Sequence, residues 1–195
     1  MIFLLYPKNS IRPKMFLFLA LLTLANHLFA QVGHSDVVNY KTIDWTVLMP
    51  EQWLRAIKKD FDALYKLPNL QDGSPQANKA MQEIQKKLDD APIVKEQINK
   101  KVRISGYVVS LDASRDKYRE FLLVPYFGAC IHLPPPPANQ IILIKSGTQT
   151  KFTKLPESMD MVWIEGELKE SRVSTAQGIS GYALTAVSVL PYEKK

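Results

Sequence analysis

Four consecutive prolines, Pro134 to Pro137, interrupt the chain directly after an apolar stretch and limit what this part can fold into. Proline has no backbone N–H to donate and holds its φ angle fixed, so the run cannot be a central strand of a sheet. In polyproline II conformation four residues extend about 12 Å. The run therefore predicts a stiff connection between strands, with a docking ligand for a partner protein as the alternative.

Around the prolines, apolar and polar residues alternate with a period of two, which is typical of strands. Five strands are predicted, at residues 101–108, 120–126, 140–145, 161–170 and 181–190. Gly106 and Gly166 lie inside two of them, where glycine suits a bulge or a sharp bend. Short strands with glycine bends predict a small five-stranded barrel resembling the oligonucleotide/oligosaccharide-binding (OB) fold. A small β-sandwich is the alternative.

Two helices are predicted before the strands, which makes the fold class mainly β with N-terminal helices (α+β). Pro50 suits the first turn of one helix, while Ser74 and Pro75 suit the cap and first turn of the other. Apolar residues at helical spacing follow each start. The predicted organisation is a signal peptide at 1–30, an extended arm at 31–49, a helical segment at 50–98 and the OB-like domain at 99–192. Within the arm, Trp45 is expected to pack against the domain.

The first thirty residues have the features of an export signal. Lys8, Arg12 and Lys14 are basic and no acidic residue accompanies them, and Met15 to Ala25 is apolar but short for a membrane span. Ala30 is suitable for cleavage, whereas an uncleaved anchor is the alternative. We therefore predict a periplasmic protein with no membrane span after cleavage, although the exact cleavage site and the true start, Met1 or Met15, stay open.

The charge and motif content exclude several function classes. The net charge of the full chain is +6, and removing the three cations of the signal leaves +3, which is too low to indicate nucleic-acid binding. The sequence contains no Gly-rich phosphate loop, HExxH or GxSxG motif. We therefore expect a protein that is not an enzyme and does not bind nucleic acid.

Cys130 and His132 are the candidate metal ligands. Alternate side chains of an extended strand share a face, so a thiolate and an imidazole could bind the same zinc or copper ion. Two ligands are incomplete, because structural zinc takes about four and catalytic zinc about three. The alternative is a buried thiol beside a hydrogen-bonded histidine. Cys130 is the only cysteine, so it has no internal disulfide partner.

The same part of the chain supplies candidate residues for contact with a partner or ligand. They are aromatic, proline and amide residues: Tyr126, Phe127, Pro134, Pro135, Pro136, Pro137, Asn139 and Gln140. The aromatic residues are expected to line one corner with the proline run, and the two amides can bond to backbone groups there.

The segment Glu120 to Gln140, EFLLVPYFGACIHLPPPPANQ, resembles the core signature of an exported bacterial family, the domain of unknown function DUF3299. Trp45 to Pro50 (WTVLMP) and Ile104 to Leu111 (ISGYVVSL) are similar to the same family, and the resemblance spans residues 40–192. It implies an exported, OB-like protein of a Gram-negative bacterium and carries no established activity. Because Cys130 and His132 lie inside the signature, the resemblance also adds weight to metal binding.

These observations predict a periplasmic binding or accessory protein that engages a protein or envelope partner. Transition-metal binding through Cys130 and His132 is the alternative function.

Overall fold

The computed structural model describes residues 38–66, 73–111, 119–130 and 135–193. The predictions for residues 1–30, His132 and Pro134 lie outside the described residues. The strands are β1 Lys41–Thr42, β2 Lys101–Ser110, β3 Glu120–Val124, β4 Ile142–Phe152, β5 Met161–Thr175 and β6 Gly178–Pro191, and the helices are α1 Glu51–Tyr65 and α2 Pro75–Asp89. Within the described ranges, neither helix has the length and apolar content needed to cross a membrane.

The six strands form one sheet that closes into a ring. Their order is β1-β2-β3-β4-β6-β5, and β5 also pairs with β2. Neighbouring strands are antiparallel except for the pairs β1–β2 and β4–β6, which are parallel. Register shifts interrupt the β4–β6 and β5–β6 pairs, so the ring is not a regular barrel. At this level the prediction of a mainly β protein with two preceding helices is confirmed.

The ring has an apolar cluster on each side of its wall because successive strand residues point to opposite faces. The inner cluster is built from the buried residues Leu48, Val102, Ile104, Val108, Phe121, Leu123, Ile142, Ile144, Val162, Ile164, Leu168, Tyr182, Leu184, Ala186 and Val189. The outer cluster is built from Val109, Leu122, Val124, Ala129, Ile141, Leu143 and Ala183. Ala129 and Ile141 belong to the connection between β3 and β4. That connection therefore covers part of the outer face of the sheet.

The helix starts are confirmed. Pro50 precedes α1 as its N-cap residue, and Ser74 caps α2 by accepting a hydrogen bond from the Ala77 N–H at 3.2 Å, with Pro75 in the first turn. The helices contact each other through an ion pair of 2.7 Å between Lys87 and Asp60. Both apolar stripes are narrow: α1 buries Ile57 while Leu54 stays 43% exposed, and α2 buries Ala77 and Ile84 while Met81 stays 53% exposed.

The predicted extended arm is partly wrong. Residues Trp45–Leu48 form a 3-10 turn, which Asp44 begins by accepting a hydrogen bond from the Thr46 N–H. The turn directs Leu48 into the inner cluster, where it is fully buried, although strand-like alternation would have placed it opposite Trp45. The expected packing of Trp45 is confirmed, because its indole N–H donates to the Ser105 carbonyl at 2.7 Å.

Two predicted strands are too short. The third was expected to end at residue 145 and the fourth at 170, whereas β4 continues to Phe152 and β5 to Thr175. Both extensions are largely exposed and polar, so apolar alternation does not mark them. They are held instead by pairing with β6, as at Lys151 with Ser188 and Val173 with Ser180.

Candidate functional site

The chain leaves β3 and turns sharply through residues 125–130. Gly128 and Cys130 take left-handed backbone conformations, with φ of 81° and 65°. The turn leaves Tyr126 41% exposed and Phe127 60% exposed. Phe127 meets the ring of Tyr107 edge-to-face, with centroids 5.7 Å apart and planes at 78°. We call Tyr107, Tyr126 and Phe127 the aromatic corner.

The underside of this turn is anchored in the outer cluster. Ala129 is fully buried there, and Cys130 packs against the same cluster. A left-handed backbone is costly for a residue other than glycine, so surrounding contacts must hold Cys130 in place. The aromatic corner is therefore presented from a fixed base.

The Cys130 thiol is poorly suited to act as a nucleophile in this conformation. Burial raises its pKa to about 11, so the thiol is protonated at neutral pH. Burial also raises the pKa of Tyr126, and the negative charge of a Cys130 thiolate would raise it further. The two side chains are therefore close enough on this turn for the charge of one to affect the pKa of the other.

The residues that the structure describes do not form a metal site around Cys130. Among the residues it describes, no group of three or more His, Cys, Asp and Glu side chains could hold an ion. His132, the second predicted ligand, lies outside those residues. Metal binding by the pair stays a prediction.

The predicted amide residues are engaged inside the fold. Asn139 is fully buried and donates to the Pro92 carbonyl at 2.9 Å, while Gln140 is 6% exposed and donates to the Trp45 carbonyl at 2.9 Å. Pro136 is also buried, and Pro135 and Pro137 are half-buried. Of the predicted contact residues that the structure describes, Tyr126 and Phe127 are the exposed ones.

A second surface, an open groove of about 710 Å³, crosses the outer face of β1, β2, β5 and β6. Its lining residues are Thr42, Arg103, Thr153, Trp163, Leu190, Pro191, Tyr192 and Glu193. The Arg103 guanidinium lies 4.7 Å from the centroid of the Trp163 ring. Tyr192 stacks on Trp163 with centroids 5.5 Å apart and planes at 25°. These three side chains form one stack.

No local sequence pattern predicts this groove. Trp163 faces outward in a predicted strand, which was visible from the alternation, but nothing in the sequence shows that β2 lies beside β5. That pairing sets Ser105 opposite Trp163 and Arg103 opposite Glu165. Tyr192 follows the last strand and reaches the same place because its N–H bonds to the Met161 carbonyl at 3.1 Å.

Comparisons with known proteins agree on the family. The model of the family described as "Protein of unknown function (DUF3299)" matches residues 45–191. The chain is 30% identical to a solved DUF3299 family protein from Pseudomonas aeruginosa PAO1, over 80% of this chain and 99% of that one, with a TM-score of 0.57.

A crystal structure of Ag(I)CusF is 12% identical over 48% of this chain and 99% of that one, and its TM-score of 0.26 is too low to support an argument. No curated protein matches the chain. The family model covers most of the sequence and includes the aromatic corner, the proline run and the groove residues from Arg103 to Pro191. The resemblance of residues 120–140 is thereby confirmed, and the chain belongs to the DUF3299 family.

Proposed function

We propose that this protein is an exported, non-enzymatic accessory protein whose OB-like ring presents the aromatic corner to a protein partner in the cell envelope. The observation that carries the proposal is the pair of exposed aromatic side chains on a fixed turn, with Phe127 60% exposed. Export is supported by the basic and apolar segments that precede Ala30.

The strand order supports the OB-like part of the proposal. Counted from β2, the ring runs first, second, third, fifth and fourth strand, and the fourth pairs again with the first. A five-stranded Greek-key ring of this kind is what the OB fold describes. The face of β3 and β4 that such folds use for ligands is here partly covered by the chain's own connection. A partner would therefore meet the corner that this connection carries.

The aromatic corner has the properties of an interface anchor. Exposed large apolar side chains are common singly, but rigid aromatic residues that project together are typical of binding hot spots. Rigidity matters because a side chain that is already ordered loses little conformational freedom on binding. The ring of Phe127 packs against Tyr107, and its backbone lies in the turn that Gly128 and Cys130 form with left-handed conformations.

Replacing Phe127 with alanine tests the docking role. We expect Phe127→Ala to reduce retention of the partner about tenfold or more, because removal of a central aromatic anchor commonly costs 2 kcal/mol or more. The measurement is cross-linking and affinity capture from cells that export the tagged protein, with the captured protein quantified. Met81→Ala is the matched control, because Met81 is 53% exposed on α2, away from the turn. Equal capture by wild type and Phe127→Ala would count against the proposal.

Transition-metal binding through Cys130 and His132 is the second candidate function. It is favoured by the left-handed backbone of Cys130, since strained residues are often found at functional sites. The raised thiol pKa opposes it, because a metal must displace that proton.

Metal analysis of the purified protein decides this question. If the pair binds metal, the protein should contain near-stoichiometric zinc or copper, and both Cys130→Ser and His132→Ala should lose it because each removes one ligand. Phe127→Ala is the control, since it alters the same turn without removing a ligand. Metal content that is negligible, or unchanged in both ligand variants, would exclude this function.

A further inference from the structure

The groove combines a flat apolar floor with a rim of polar groups. Because Tyr192 and the Arg103 guanidinium both lie over the Trp163 ring, the floor consists of the outward face of Tyr192 with Leu190 and Pro191. Thr42, Thr153, Arg103 and Glu193 lie around it. A volume of about 710 Å³ is within the usual range of small-molecule sites. The groove is thus large enough for two or more sugar rings.

One polar atom of the rim is buried without a hydrogen-bond partner among the described residues. The Nε atom of Arg103 is buried without a hydrogen bond, and its contact with Glu165 is 3.7 Å long. An incompletely bonded guanidinium beside an exposed aromatic face indicates a ligand that is apolar on one face and polar at its edge.

We propose that the groove is a carbohydrate-binding site that takes a neutral glycan chain. A pyranose ring has an apolar face of C–H groups that can pack on the outward face of Tyr192, and hydroxyls at its edge that both donate and accept hydrogen bonds. The rim offers both kinds of group, since the Arg103 guanidinium and the Trp163 indole donate, the Glu193 carboxylate accepts and the Thr153 hydroxyl does both.

The charge and the backbone pairing of the groove oppose other ligands. One arginine and one glutamate line it, so it has no excess of positive charge with which to attract phosphates. Trp163 pairs with Ser105 on one side and Leu190 on the other, so the floor has no open strand edge for an extended peptide.

Calorimetric titration of the whole protein tests the proposal, with cellotetraose and tetra-N-acetylchitotetraose, both neutral, as probes. We expect at least one tetrasaccharide to bind, with a dissociation constant that changes less than about twofold between low and high salt, because a neutral ligand is not screened. A proline-rich decapeptide and a short oligodeoxynucleotide are titrated in parallel. Absence of binding by both sugars at millimolar concentration, or binding of the peptide or oligonucleotide in their place, would overturn the proposal.

Two variants locate the site. Tyr192→Ala should weaken sugar binding about tenfold, and Thr153→Val, which removes a hydroxyl at nearly constant volume, should weaken it about threefold to tenfold. Phe127→Ala does not alter the groove and should bind sugar as the wild type does. Sugar binding that survives both groove variants would contradict the assignment. The docking role depends on Phe127 and the glycan site on Tyr192, so either proposal can fail while the other stands.

Discussion

Gly166→Ala is expected to destabilise the protein by about 3 kcal/mol, which is at the upper end of the usual cost of overpacking a core. Gly166 lies at an inward position between Ile164 and Leu168, where the register of β5 with β6 shifts. A Cβ atom there would lie 2.9 Å from the Thr185 carbonyl carbon and closer still to its oxygen. Backbone atoms cannot swing away, so the strands themselves would have to separate.

Urea unfolding measures this cost, and the loss corresponds to a fall in Tm of roughly 6–12 °C for a protein of this size. Gly147→Ala is the matched control. Gly147 also lies in a strand, but a Cβ atom placed on it meets nothing within 4 Å. The control should stay within about 1 kcal/mol of wild type. Similar stability of the two alanine variants would show that β5 and β6 do not approach each other as closely as the structure indicates.

Removing the hydroxyl of Tyr182 is expected to cost about 2–3 kcal/mol, because two backbone groups would lose their partner. Tyr182 is fully buried in β6. Its hydroxyl donates to the Leu48 carbonyl at 2.9 Å and accepts from the Val94 N–H at 2.7 Å. The variant Tyr182→Phe keeps the ring and therefore reports on these two hydrogen bonds.

The same tyrosine makes stability depend on alkaline pH. Burial raises the pKa of Tyr182 to about 12, the Val94 hydrogen bond opposes this, and the charge of Glu96 adds to it. The folded state holds the Tyr182 proton more tightly than the unfolded chain does. The contribution of Tyr182 to the free energy of unfolding is therefore complete below pH 10 and is lost as the pH rises towards 12. The expected loss is roughly 1.4 kcal/mol per pH unit in that window.

Urea unfolding of wild type and Tyr182→Phe between pH 9 and pH 12 isolates this effect, because the other titrating groups are common to both proteins. The stability difference should be largest near pH 9 and should approach zero by pH 12. A difference that stays constant across the window would show that Tyr182 does not titrate with a raised pKa.

The sequence predicted correctly those features that depend on residues close together in the chain. Pro50, Ser74 and Pro75 marked the helix starts correctly, and Gly166 marked a break in register. The turn at Trp45–Leu48 was missed because its alternation resembled a strand, whereas its conformation depends on Asp44 and on burial of Leu48. The polar ends of β4 and β5 were missed because only pairing with β6 holds them.

The two candidate sites also differ in whether their residues are close together in the sequence. The aromatic corner lies within one short segment, so Tyr126 and Phe127 could be identified from the sequence. The groove joins residues from five places in the chain, which only the closure of the ring brings together. Asn139 and Gln140 lay in the expected segment, but their burial depends on Pro92 and Trp45, which are distant in sequence.

The hydrogen bond between Tyr182 and Leu48 also has a consequence for the order of events during synthesis. The two residues are 134 positions apart, and Gln140 and Trp45 are 95 apart. Contacts of such separation form late, because a long loop must close before any of their stabilisation is gained. A nascent chain that still lacks β6 does not contain the residues of that strand against which Leu48 packs. We therefore expect the N-terminal part of the protein to stay incompletely packed until β6 has been synthesised.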